Sequence, residues 1–267
     1  MLYFAWGIKC TTLCASMRGS LFTGRRAAGS PPIFWPAIVR SLDHGLYGNV
    51  PRQEARAVER SPHHEHMEYS CEWVVGGGAQ EALGIRRRVY VEEFGFDLGS
   101  SGPADEIDQR AHHLVARTTS GEPVAALRLL DASARPFEIE RFLDLEAHLA
   151  PGWHPAEITR LCILAPYRRI THASFVHLAL LRAVLELTQR LGVTHIVAWT
   201  RDELMAFYKY VLFDAYDDVT FVHPGIRDAR HTMVILDLAA FADRCRIERP
   251  TLYRAVSDIL PPTASHC

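Results

Sequence analysis

The chain has 267 residues, enough for one large domain or two small ones, and its 48% hydrophobic and 22% charged content excludes wholesale disorder. A formal charge of −2 gives no global basic field of the kind that attracts nucleic acid or an anionic membrane. No unbroken apolar run reaches the roughly 18–20 residues of a membrane-spanning helix, and the 6 cysteines are scattered without a Cys-x-x-Cys pair, which points to reduced thiols in a cytoplasmic protein and to no zinc site.

Residues 1–66 mix isolated aromatics (Tyr3, Phe4, Trp6, Phe34, Trp35) with turn formers such as Gly29-Ser30-Pro31-Pro32, and no helical or strand period persists. Lys9, Thr11, Thr12 and Ser16 interrupt the start, so the continuous apolar core of a secretory signal is lacking. The His63-His64-Glu65-His66 cluster lies in a polar stretch that reads as a solvated linker. The expectation is a poorly ordered extension over 1–66, or a chain that starts at Met67.

From Met67 the pattern becomes regular and predicts a domain over 67–240, followed by a helical tail over 241–267. Glu68 to Val75 predicts a strand that stops at Gly76-Gly77-Gly78. Ala79 to Phe94 predicts a helix, with Ala82, Ile85 and Val89 on one stripe. After the polar loop Gly99-Ser100-Ser101-Gly102-Pro103, His113–Thr118 and Pro123–Leu130 predict two strands joined by a Ser120-Gly121 turn. Glu157 to Leu164 predicts another strand. Ser174 to Leu191 predicts a long helix that ends at Gly192. Thr194–Trp199 is a β-branched strand, and Asp202–Val211 a helix with Leu204, Phe207, Tyr208 and Val211 on one face. Phe221-Val222 and Thr232–Leu238 supply two late strands. This order predicts an α/β (α+β) fold, a mixed sheet flanked by helices.

Several charges stand in apolar surroundings. Arg86 adjoins the stripe of the first helix, Asp105 and Asp108 follow the Gly/Pro loop, and Arg128 is embedded in Val-Ala-Ala-Leu-Arg-Leu-Leu. Glu157 and Arg160 flank Ile158-Thr159. Three acids and three arginines balance, as a partly buried ion network requires. Strand side chains alternate with period two, so Glu157 and Arg160 share a face only if a bulge intervenes.

The series Ile85-Arg86-x3-Tyr90-x5-Phe96, Asp105-x-x-Asp108, Arg128, Glu157-x-x-Arg160 resembles the charged core of the autoinducer synthases, which make acyl-homoserine lactones. It is similar also to that of their relatives, the N-acyl amino acid synthases. Both have the GNAT-type acyltransferase fold, and the resemblance spans residues 68–238. It implies a central splayed strand at Glu157–Ala165 and a donor turn at Arg168-Arg169-Ile170-Thr171-His172-Ala173, where a helix N-terminus receives the donor's phosphate. Phe207-Tyr208-Lys209-Tyr210 followed by Leu212-Phe213 resembles a stretch near that fold's end. The chain departs from the autoinducer signature at Glu93, Phe96, Pro103 and Ile107, which favours N-acyl amino acid synthesis over lactone synthesis. Thr171 stands where a coenzyme-A-binding turn has glycine, which tilts the donor toward carrier-protein phosphopantetheine.

The resemblance implies acyl transfer from a thioester to the amine of a small-molecule acceptor, with acyl carrier protein or acyl-CoA as donor and no bound cofactor or metal. Glu157 is the expected base, with His112-His113 as a substitute, and Arg160, Asp105 and Asp108 complete the catalytic group. Arg86, Phe96 and Arg128 are expected to bind the acceptor. Trp199, with Leu204 and Phe207, is expected to line an acyl slot. The donor is expected at Leu161, Ile163, Arg168, Arg169, Thr171 and Ala173, and the basic Arg168, Arg169 and Arg182 would meet an acidic carrier. Cys162, on an apolar strand, reads as core packing. Alternatives are a homoserine-lactone synthase, an acetyl-CoA-dependent acetyltransferase and a catalytically silent acyl sensor.

Overall fold

The computed structural model describes residues 69–75, 79–96, 105–168, 170–223, 226 and 229–260, with only the backbone described at 170–174. The extension over 1–66, the loop Gly99–Pro103 and Arg169 lie outside the described residues. Seven strands, β1 (Ser70–Val75), β2 (His112–Arg117), β3 (Pro123–Leu130), β4 (Pro155–Ile163), β5 (His195–Thr200), β6 (Asp214–His223) and β7 (Ala229–Asp237), form one mixed sheet in the order β1-β2-β3-β4-β5-β7-β6. Among the described residues, five α-helices flank it: α1 (Gln80–Arg86), α2 (Ile170–Arg190), α3 (Asp202–Tyr210), α4 (Leu238–Glu248) and α5 (Pro250–Val256).

Strand alternation sorts the core into two layers. Leu127 and Leu129 of β3, Ile158 and Leu161 of β4, and Ile196 of β5 meet α2 to α5 on one face. Ala126 and Leu130 of β3, Cys162 of β4, and Val197 and Trp199 of β5 face the other way, toward α1 and the segment between β3 and β4. That segment, for which the sequence pattern predicts no element, contains short 3₁₀ turns at Ala132–Ala134, Ile139–Arg141 and Leu145–His148. Pieces this short carry no hydrophobic period, yet they bury Phe137, Ile139 and Leu145.

Two departures concern helices. The first predicted helix is α-helical only to Arg86 and continues as a wider π-helix over Arg87–Glu93, a form frequently found at functional sites. Helix α2 begins at Ile170, four residues before the expected Ser174; Thr171 and His172 contribute no apolar side chain, so the stripe that reveals a helix starts late.

One bulge decides the layout of β4. Ala126 pairs with Cys162 and Arg128 with Thr159, so Leu127 alone opposes Arg160 and Leu161. Arg160 takes φ 57°, the left-handed region, at a strain of roughly 1–3 kcal/mol. The extra residue resets the alternation, and Glu157, Thr159 and Arg160 all project to the α1 face. The bulge required by the sequence spacing is present. Just before it, β4 pairs in parallel with β5 only over Pro155–Glu157 against His195–Val197, after which the strands part.

Helix α2 stops where Gly192 stands in the left-handed region at φ 64°. The Val193 amide donates to the Thr188 carbonyl at 2.9 Å and the Gly192 amide to that of Gln189 at 3.1 Å, the paired bonds of a Schellman cap. A Cβ here would meet nothing within 4 Å, so Gly192→Ala is expected to cost about 1–2 kcal/mol through the backbone alone. Urea unfolding checks this; an unshifted midpoint counts against it.

Candidate active site

The charges converge on the α1 face of β3 and β4. Asp105 caps the turn Glu106–Arg110, its Oδ1 accepting from the Ile107 and Asp108 amides at 3.0 and 3.2 Å. The Asp105 amide in turn donates to Asp108 Oδ2 at 2.7 Å, a reciprocal capping box that fixes both carboxylates. Arg86, the last residue of α1, donates to Asp108 Oδ1 at 2.6 Å. Arg128 donates through Nε to Thr159 Oγ1 at 2.9 Å, through one terminal nitrogen to Asp105 and Asp108 at 2.7 and 3.1 Å, and through the other to Glu138 Oε2 at 2.6 Å. Arg160, turned inward by the bulge, donates to Glu138 Oε1 at 2.6 Å and to Asp105 Oδ2 at 3.1 Å.

Glu138 was not visible in the sequence, yet it joins Arg128 to Arg160. Its own backbone is fixed by Glu157, whose Oε2 accepts from the Glu138 amide at 2.7 Å and whose Oε1 accepts from the Ile139 amide at 2.8 Å and the Trp199 indole at 3.2 Å. Glu157 thus links the segment between β3 and β4 to β5. Glu140 and Glu146, neighbours of Glu138, are both bound to Arg135 nearer the surface, a difference that nothing in the local sequence marks.

With Glu138 included, three guanidiniums meet four carboxylates. Burial opposes the charge on each acid, and the outcome depends on its partners. At Glu138, Arg160 and Arg128 overcome burial and hold the carboxyl far below the usual range. At Asp108, Arg86 and Arg128 do the same. At Glu157 burial prevails and, with Glu138 beside it, raises the carboxyl above its ordinary value against the pull of Arg128. The excess negative charge is therefore least stable on Glu157. His113 adds no charge: burial and then Arg86 push it down to about 4, while its ring bonds Arg86 at 3.0 Å and the Asp108 carbonyl at 2.9 Å. That engagement removes it as a substitute base, and His112 is bound to Asp131 at 3.1 Å.

Beyond the bulge, an apolar cavity of about 90 Å³ occupies the other face, where β4 and β5 part. Ile158 and Leu161 of β4, Ile196 of β5, Phe207 and Tyr208 of α3, and Leu252 of α5 line it. The Tyr90 hydroxyl donates to the Leu161 carbonyl at 3.4 Å. The Tyr208 hydroxyl is buried without a hydrogen-bond partner, and burial raises it well above the ordinary phenol range.

Several expected positions change. Trp199 does not line the cavity: it follows Val197 onto the α1 face, where it binds Glu157 and packs against Phe142, Phe221 and His223. Phe207 lines the cavity as expected. Arg86 and Arg128 are fully buried and bound within the network, so neither presents a free fork to an acceptor carboxylate; Arg160, 9% exposed, stands at the margin. Phe96 is packed against Phe94 at 5.6 Å between ring centres, inside the second core layer. Arg168 does not face a donor, because its Nε donates to the Ile163 carbonyl at 2.6 Å and its terminal nitrogens chelate Glu93. Arg182 likewise binds Asp258 and the Ala255 carbonyl, with its side chain still 31% exposed. Ile163 lies in the helix-covered core. Arg169 and the side chains of Thr171 and Ala173 lie outside the described residues. Burial pushes the Cys162 thiol up to about 12, the state of an inert core residue. Among the described residues, no helix is long and apolar enough to cross a membrane.

Residues 85–177, which hold most of the ionic network, match the family model described as an acetyltransferase (GNAT) domain. The chain carries a GNAT domain. It is an acyltransferase of that fold. No curated protein matches the sequence. Among solved structures, an N-acyl amino acid synthase from uncultured soil microbes, FeeM, superposes with a TM-score of 0.53 at 12% identity, covering 67% of this chain and 94% of that one. A CoA-dependent acyl-homoserine lactone synthase, BjaI, with SAM and isopentyl-CoA, gives 0.49 at 17% identity over 73% and 91% of the two chains. The AHL synthase LasI gives 0.49 at 17% identity over 64% and 90%. At these identities the likeness is one of fold.

Replacing Glu138 with Gln leaves Arg128 and Arg160 facing each other without their shared anion. Glu138→Gln is expected to lower unfolding stability by on the order of 3 kcal/mol, as read by urea melts; a loss within error would mean that the network does not depend on this carboxylate. A second expectation concerns pH. His113 and His223, pushed down to about 4 from 6.5, bind protons more readily when unfolded. The stability they contribute is complete above 6.5 and is lost as pH falls toward 4. Across that window the slope is expected to reach up to ~1.4 kcal/mol per pH unit for each histidine; a flat urea midpoint would contradict it.

Proposed function

We propose that this acyltransferase moves a fatty acyl group from a thioester, on carrier-protein phosphopantetheine or coenzyme A, to the amine of an amino acid or related small molecule. One observation carries this reading. Within a few residues of β4, Leu161 faces an apolar cavity while Arg160 and Glu157 face a buried ionic network on the opposite side of the sheet. A long-chain thioester and a charged acceptor need just such unlike surroundings meeting at one carbonyl.

In the proposed reaction the acceptor nitrogen attacks the thioester carbonyl carbon, the carbon–sulfur bond breaks, and the thiol leaves. The ammonium must first lose a proton. Glu157 is the proposed acceptor of that proton, through a water because its carboxylate is fully buried; its raised proton affinity suits the task. Asp105 and Glu138, with one anion in excess across the network, favour an acceptor that arrives as a cation. Arg160 at the margin is the fork that would hold an acceptor carboxylate.

The test is incubation with acylated carrier protein or acyl-CoA and a panel of amino acids, following free thiol and product mass. An amide of acyl chain and amino acid is the expected product. A homoserine-lactone product would move the chain to the autoinducer synthases, and tight acyl binding without thiol release would make it a sensor. Glu157→Gln keeps only one oxygen to accept from the Glu138 and Ile139 amides, so it is expected to lower the melting temperature and, in the protein that remains folded, to lower kcat by at least ~100-fold with KM near wild type. Unchanged turnover would remove Glu157 from the mechanism.

A further inference from the structure

The apolar cavity has three kinds of wall. Ile158, Leu161 and Ile196 come from the sheet, Ile158 and Ile196 paired within its ladders and Leu161 at the bulge. Helices α2 and α3 form the flanks, and α5 closes the remaining side with Thr251, Leu252 and Ala255. Among the described residues, no Lys, Arg, Asp or Glu lines the cavity, so it suits an uncharged chain.

Helix α5 lies beyond residues 85–177, the stretch that carries the GNAT match, and it is held by polar ties to both flanking helices. At its start, Arg249 Nε donates to the carbonyl of Tyr210, the last residue of α3, at 3.1 Å, with the guanidinium 5.3 Å from the Tyr210 ring. At its end, Arg182 of α2 donates to the Ala255 carbonyl at 2.6 Å and grips both oxygens of Asp258 at 2.7 Å. Gln189 of α2 donates to the Ile259 carbonyl at 2.6 Å. These ties set how deeply Leu252, only 6% exposed, projects into the cavity.

We infer that α5 is the stop of the acyl cavity, and that Leu252 and Ala255 set the length of acyl chain the enzyme accepts. The inference rests on the acyl-transfer reading above. A chain whose thioester lies by Leu161, where β4 leaves β5, runs between α2 and α3 and ends against α5. Shortening the side chain at the stop lengthens the accepted chain; lengthening it does the reverse.

The experiment uses the full chain and straight-chain acyl-CoA thioesters from butanoyl to hexadecanoyl. Thiol release with the amino-acid panel is measured alongside calorimetric binding of the matching free fatty acids. Leu252→Ala is expected to move the preferred length up by about two to three methylenes, each worth roughly fourfold in affinity. Ala255→Leu is expected to move it down by a similar amount. Should Leu252→Ala fail to fold, Ala255→Leu carries the test by itself. A wild-type preference that persists in the folded variants overturns the role of α5 while leaving acyl transfer standing. A wild-type chain that neither releases thiol nor binds any fatty acid fails the acyl-transfer reading, and the inference with it.

Discussion

A carboxylate held between two guanidiniums organises this structure. Glu138 gives one oxygen to Arg128 and the other to Arg160, with Glu138 and Arg128 removed from water and Arg160 at the margin. Such a group is costly to bury alone and tolerable only when every partner is in place. Arg128 can reach Glu138 because β3 lies beside β4 within the sheet. Arg160 can reach it because β4 is bulged. Glu138 itself is there because Glu157 holds its amide. The ionic centre therefore constrains three separated pieces of chain at once, and the strained backbone of Arg160 persists because its side chain has no equivalent place elsewhere.

The two faces of the sheet are chemically opposite. The face covered by α2 to α5 is apolar and contains the cavity, whereas the α1 face contains the charges and an aromatic group built on Trp199, Phe142 and Phe221. Strand β4 has no exposed residue in either direction, and it carries side chains of both kinds into the interior, as β3 does with Leu127 and Arg128. The unlike environments that acyl transfer requires are the two sides of one strand.

Much of this was legible in the sequence. Arginine and carboxylate inside runs such as Val-Ala-Ala-Leu-Arg-Leu-Leu are conspicuous because an apolar strand rarely carries them without a partner, and the spacing of Glu157 and Arg160 required the bulge. Glu138 was hidden because it stands in an aperiodic segment among other acids, and only the fold distinguishes it from Glu140. The direction of Trp199 was available from strand alternation, since Ile196 and Ala198 occupy the cavity face, but its nearness to the α3 aromatics obscured the parity. Arg168 and Arg182 carried the opposite lesson: a basic residue before or along a helix is as readily committed to its own chain as to a ligand, and no local pattern reveals Glu93 or Asp258 as the partner.

The parting of β4 from β5 has a mechanical side. The sheet consists of two rafts, β1 to β4 and β5 to β6, stitched by three residue pairs. The Glu157–Trp199 bond crosses that seam. A guest that wedges the rafts apart tugs on the same carboxylate that steadies the ionic centre, so the girth of what enters from the oily side is felt as tension on the charged one.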